Sequence, residues 1–174
     1  MSTTVISLRN LNLLSSACLV LLIATQSEAA PSPLERVAKR QPALILARAL
    51  VAEAGYSPRA DHPAILHVLR RRSWRKDPVG DALLALQYCS VFHAGVTTPQ
   101  TDTLRHASME YLRANAPDVV LLAEQWTAGA EMADPCLGVA IHWGSPEDIE
   151  RKAIGMRSRV PCGDTANIFL RAWR

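Results

Sequence analysis

Residues 42–55 read Pro42-Ala43-Leu44-Ile45-Leu46-Ala47-Arg48-Ala49-Leu50-Val51-Ala52-Glu53-Ala54-Gly55. The proline suits the first turn of a helix, where its missing N–H costs nothing, and the glycine suits the stop. Between them the segment is apolar on nearly every face. A helix that is apolar all round is buried on all sides, so this stretch predicts the centre of a helical core. Its one acid is Glu53, and no other acidic residue lies between Glu35 and Asp61. A carboxylate in the last turn of such a helix is desolvated and faces the negative end of the helix dipole; both effects raise its pKa. Such a group is seldom buried unless it is paired or used. Two roles are open to it. It can fix the turn in a salt bridge with Arg48, Arg59 or another arginine. Alternatively it can stay protonated near neutral pH, which is what glycoside cleavage needs to protonate the leaving oxygen.

The chain on either side of this helix is also largely helical in pattern. Asp61 reads as the N-cap of the next helix, with Pro63 in its first turn, Ile65, Leu66, Val68 and Leu69 inside, and Arg70-Arg71-Arg72 at its end. Asp77-Pro78 opens a third helix by the same cap-and-proline logic, carrying Leu83, Leu84 and Leu86. A fourth spans 99–114, with Leu104, Ser108, Tyr111 and Leu112 in register. Pro117 starts a fifth, through Val119, Val120, Leu122, Ala123 and a core Trp126, ending near Gly129. Periodicity then fails: residues 133–165 are rich in Gly, Pro, Asp and Ser, and the apolar stretches Val139–Trp143 and Ile168–Trp173 could be strands. The expected fold class is mainly α (α+β), a single domain over 42–174 whose C-terminal third is irregular and has room for β structure. Residues 30–41, polar and proline-containing, read as a flexible N-terminal segment. His67 and His106 fall inside helices and read as structural or solvated.

The chain has 174 residues, 49% of them hydrophobic, and a net charge of +3. That apolar fraction argues against intrinsic disorder, and the charge is too small to argue for nucleic acid as a partner. Residues 1–29 carry one early charge (Arg9), an uncharged apolar run over 13–25, and small residues at Ser27 and Ala29. This is the pattern of a cleaved signal peptide and implies a secreted or periplasmic protein. The alternative is an uncleaved segment that anchors the domain to the inner membrane. Oxidising compartments favour disulfides. Cys136 and Cys162 share the loop-like tail, and pairing them closes a loop worth about 3 kcal/mol in the loop-entropy model. Cys89 reads as a buried free thiol in an apolar helix. A zinc site on Cys136, His142 and Cys162 is the rival use, though the spacing matches no standard finger.

The stretch from Leu46 to Gly55, followed by Ile65-Leu66-His67-Val68-Leu69-Arg70-Arg71-Arg72, resembles the SleB-type cell-wall hydrolases, lysozyme-like proteins that also look like lytic transglycosylases. Their pattern is a helix ending in Ala-Glu-Ala, a Gly/Pro-containing turn, and a second helix with a terminal Asn-Arg. The segment Asp134-Pro135-Cys136-Leu137-Gly138-Val139-Ala140-Ile141-His142-Trp143 looks like the family's second block, and the resemblance covers about 43–145. Arg71 stands where the family usually has Asn, Arg72 keeps the Arg, and Gly55-Tyr56-Ser57-Pro58 replaces its acidic Gly-Glu turn. The resemblance implies a lysozyme-like fold, peptidoglycan as substrate, and Glu53 as the catalytic acid.

Glycosidases of the inverting and retaining kinds need two carboxylates. Asp61, if it is more than a cap, is the nearest second candidate. If it is only a cap, Glu53 works alone, as in lytic transglycosylases, where the muramyl C6 hydroxyl attacks its own anomeric carbon and the glutamate serves as acid and then base. Neither route calls for a metal or cofactor. Tyr56, His142 and Trp143 are the expected substrate-binding residues. Arg70 to Lys76 places five positive charges in seven residues, either a solvated helix end or a patch for an anionic envelope surface. A monomer is expected. The rival to an enzyme is a non-enzymatic exported envelope protein that binds cell-wall glycan or a partner, with Glu53 sealed against an arginine.

Overall fold

The computed structural model describes residues 30–95, 98–151 and 158–171, with the backbone alone for residues 150 and 151. The signal pattern at 1–29 lies outside the described residues. Among them are eight α-helices: α1 (Pro33–Arg40), α2 (Pro42–Ala54), α3 (Asp61–Arg72), α4 (Pro78–Tyr88), α5 (Pro99–His106), α6 (Met109–Asn115), α7 (Pro117–Thr127) and α8 (Pro146–Arg151). A 3-10 turn (Ser90–Phe92) follows α4, and three short strands, β1 (His142–Gly144), β2 (Arg159–Val160) and β3 (Ile168–Leu170), complete the chain. The protein is mainly helical with one small sheet, as expected.

Helix α2 is the centre. It packs against α1, α3, α4, α5, α6, α7 and the 3-10 turn, and Leu44 through Val51 are all buried. That run includes Arg48, whose guanidinium donates from Nε (2.8 Å) and Nη2 (2.6 Å) to the carbonyl of Ala107. This explains why the expected helix over 99–114 is two helices. Ala107 leaves the helical conformation (ψ 131°), which frees its carbonyl for the buried cation, and Ser108 then caps α6 by accepting from Tyr111 N. A buried charge needs an acceptor, and the helix breaks to supply it.

Residues 30–41 are not a flexible lead-in. They hold α1, which starts on a reciprocal capping box between Ser32 and Glu35. Its apolar side, Leu34, Val37 and Ala38, packs on the core. Cys89 is a buried free thiol, but it lies just past the last residue of α4 and not inside the helix.

The sheet order is β1-β3-β2, all antiparallel, with Trp143 opposite Phe169 and Val160 opposite Phe169 on the other side. Both apolar stretches expected as strands contribute, over shorter spans. Arg71 and Asp61 of α3 fasten the C-terminal third to the helices, and a disulfide closes it on itself. Arg71 donates to Ala140 O (2.5 Å) and forms a short ion pair with Asp134, whose carboxylate also accepts from Cys136 N and Gly138 N. Asp61 accepts from Ala166 N (2.9 Å) and Asn167 N (2.8 Å). Cys136 and Cys162 form the expected disulfide, which takes both thiols away from any zinc site. Among the described residues no helix is long and apolar enough to cross a membrane, and the disulfide is compatible with an oxidising compartment.

Candidate active site

Helix α2 ends where Gly55 takes a positive φ of 91°, a conformation that favours glycine. Glu53 is therefore fixed in the last turn of the most buried helix, with its side chain at the wall of a cavity of about 570 Å³. The tail supplies further lining: His142, Trp143 and Gly144 of β1, then Ser145, Asp148 and Ile149. Tyr88 at the end of α4, Ser90 and His93 after it, and Asn167 just before β3 complete the lining.

The carboxyl group of Glu53 is held by three donors. Oε1 accepts from Ser90 N (3.1 Å) and Ser90 Oγ (3.4 Å); Oε2 accepts from Trp143 Nε1 (3.2 Å). Asn167 Nδ2 donates to the backbone carbonyl of Glu53 (3.1 Å). No arginine pairs with Glu53 among the described residues, and Arg48 is committed to Ala107. Burial pushes the Glu53 pKa up, and the negative charge of Asp148 adds to that. The hydrogen bonds from Trp143 and Ser90 oppose it without cancelling it. Such a carboxyl group can keep a proton at higher pH than a free glutamate, and one lone pair of Oε2 remains beyond the Trp143 bond to carry it.

His142 and Trp143 are where the sequence reading put them, in the cavity with Glu53. Trp143 is on β1, within a stretch expected to be a strand, and only 7% of it is accessible. His142 Nδ1 lies 3.3 Å from Arg72 Nη1. A guanidinium only donates, so Nδ1 accepts, and the ring proton of the neutral imidazole belongs on Nε2.

Two expected site residues lie elsewhere. Tyr56 packs on the core beside Tyr111 and is not part of the cavity wall, because the chain turns at Gly55. Asp61 is fully buried, is not the cap, and is not among the residues that line the cavity. It is the first residue of α3, the cap position falls on Ala60, and both its oxygens are taken by the backbone of Ala166 and Asn167. Its role is to dock the segment that carries Asn167.

The basic run is turned inward more than a solvated helix end would be. Arg70 pairs with buried Asp81 and lies 4.7 Å over Trp126, Arg72 lies 3.9 Å over Tyr88, and Lys76 donates to the carbonyls of Arg70 and Arg71. Trp126 is core as expected, with its indole donating to Asp81 (2.8 Å). His67 is structural, 3.0 Å from Met132 O and edge-on to Trp126. His106 is exposed.

Ser90, Asn167, Asp148 and His62 are site or support residues that spacing did not reveal. His62 is buried in the first turn of α3 and bonds back to the turn before it: Nδ1 accepts from Arg59 N (3.0 Å), and Nε2 donates to Gly55 O (3.1 Å). Desolvation lowers its pKa, consistent with the neutral ring that this pattern requires.

No family model, curated protein or solved structure matches the chain.

Proposed function

We propose that this protein cleaves the glycan strands of peptidoglycan on a lysozyme-like domain, with Glu53 as the acid. The observation that carries the reading is Glu53 itself: a carboxyl group with a raised pKa, on the wall of an open cavity, held in place by Trp143 and Ser90 with no cation against it. An acid of this kind protonates a glycosidic oxygen as the C–O bond breaks. His142 and Trp143 supply the polar and aromatic surfaces that a sugar ring uses. The resemblance of 46–55 and 65–72 to the SleB-type hydrolases supports peptidoglycan as the substrate. Secretion or residence in the periplasm would put the protein in contact with it. A lone glutamate would run the reaction as a transglycosylation, taking back the proton of the muramyl C6 hydroxyl.

Digestion of purified sacculi by the mature protein and by Glu53→Gln tests this. Wild type should release muropeptides, and the variant should lose that release by about two orders of magnitude or more. Wild type that binds sacculi and releases nothing would favour the non-enzymatic glycan-binding alternative.

A further inference from the structure

A second carboxylate shares the cavity with Glu53. It is not Asp61, whose oxygens are consumed by the backbone at Ala166 and Asn167. It is Asp148, which the tail brings to the lining of the same cavity. Among the described residues, Glu53 and Asp148 are the only carboxylates lining this cavity. Their surroundings differ in the way a catalytic pair requires. Glu53 is largely withdrawn from water and hydrogen-bonded on both oxygens. Asp148 is exposed, and only its Oδ2 is engaged, accepting from Ser145 Oγ at 3.2 Å. Ser145 Oγ also accepts from Asp148 N at 3.1 Å, so Ser145 fixes the residue's position at both its main chain and its side chain. The other oxygen is left to the solvent in the cavity.

The geometry points to Asp148 as the general base that directs the reaction to water, making this chain a glycan hydrolase rather than a transglycosylase. The inference rests on the glycan-cleaving reading of Glu53. In the step, the bond from the anomeric carbon to the leaving oxygen breaks, and that oxygen takes the Glu53 proton. The oxygen of a water molecule forms the new bond to the anomeric carbon, and one water proton passes to Asp148. The products are a reducing end and a free hydroxyl. Glu53 ends as carboxylate and Asp148 as acid, and exchange with solvent restores both. Burial raises the Glu53 pKa and the charge of Asp148 adds to it, so Asp148 also favours the protonated form of its partner. Ser145 is a positioning residue for it.

The test digests sacculi in water enriched in oxygen-18 with wild type, Asp148→Asn and Asp148→Ala, reading the fragment ends by mass spectrometry. Wild type should give reducing ends that carry the label. Both variants should lose labelled reducing ends by about a hundredfold or more, and sodium azide should restore turnover to Asp148→Ala as a glycosyl azide. A merely structural role would not produce azide rescue, and circular dichroism of each variant checks that the exposed substitution leaves the fold intact. Wild type that yields anhydro ends, or variants that keep the wild-type rate of labelled ends, would overturn the role of Asp148 while leaving Glu53 in place. No fragments from wild type would overturn both readings together.

Discussion

The indole N–H of Trp143 donates to Glu53 Oε2 across 3.2 Å, joining a strand of the tail to the end of the central helix. This bond favours the ionised carboxylate, whereas burial favours the acid, and burial is the larger effect. Trp143→Phe keeps most of the apolar surface and removes the donor. Glu53 should then become harder to ionise, moving the alkaline limb of the cleavage rate up by about one pH unit, the size expected for a lost hydrogen bond to a charged group. The pH profile of muropeptide release measures it. A limb that stays in place or moves down would mean that this bond does not govern the proton on Glu53.

The raised pKa of Glu53 also has a consequence for stability. The folded protein holds a proton that the unfolded chain releases, so the group contributes stability that is complete below the ordinary value of about 4.5 and is lost as pH rises through the folded value. Glu53→Gln removes that titration. Relative to wild type, the variant should gain stability as pH rises from about 4.5, and the difference should level off once the folded Glu53 has ionised. Urea unfolding at a series of pH values gives the difference directly. A constant difference would show that Glu53 has no raised pKa.

Asp61 holds the tail by accepting two hydrogen bonds, from the backbone N–H groups of Ala166 and Asn167. Asp61→Asn presents an amide N–H to one of those donors. The cost should be about 3 kcal/mol, or a fall in melting temperature of roughly 10 °C for a domain of this size. Activity should fall even well below the melting temperature, because Asn167 loses its place beside Glu53. Calorimetry together with sacculus digestion at low temperature checks both. A variant with wild-type stability would show that the clamp is not formed in solution.

Reducing the disulfide between Cys136 and Cys162, or replacing both with Ser, opens a sequence separation of 26 residues. The loss should be about 3 kcal/mol. Helices α1 to α7 lie outside that span, so the far-ultraviolet signal at low temperature should persist while activity is lost, since Trp143 and Asp148 lie within the closed loop. Loss of helical signal in step with activity would show that tail and helices unfold as one unit.

The helices were legible in the sequence because their punctuation is local. Pro42 and Gly55, or Pro78 and Pro117, mark boundaries that the structure keeps. Glu53 was legible because one acid in an apolar helix is a conflict visible without any tertiary contact. Its partners were not, because Ser90, Trp143 and Asn167 reach it across 37, 90 and 114 residues, and no periodicity encodes such distances. Asp61 was misread for the same reason: an Asp before an apolar run looks like a cap, and only the distant backbone of Ala166 and Asn167 gives it another use. The break at Ala107 depended on Arg48, again a long-range demand that overrides local helical preference. For α1, the Ser32 and Glu35 capping pair was present in the sequence, but the segment's polarity concealed it.

The two walls of the cavity come from different kinds of structure. Glu53 rides on a helix enclosed by most of the other helices, so its coordinates are set by the whole core and tolerate little change. The other wall is short strands and turns held at a few points, and it tolerates sequence change far more readily. A change at the tail's anchors, Asp61 or the Cys136–Cys162 disulfide, would therefore shift Trp143 and Asp148 against a Glu53 that stays where the core holds it.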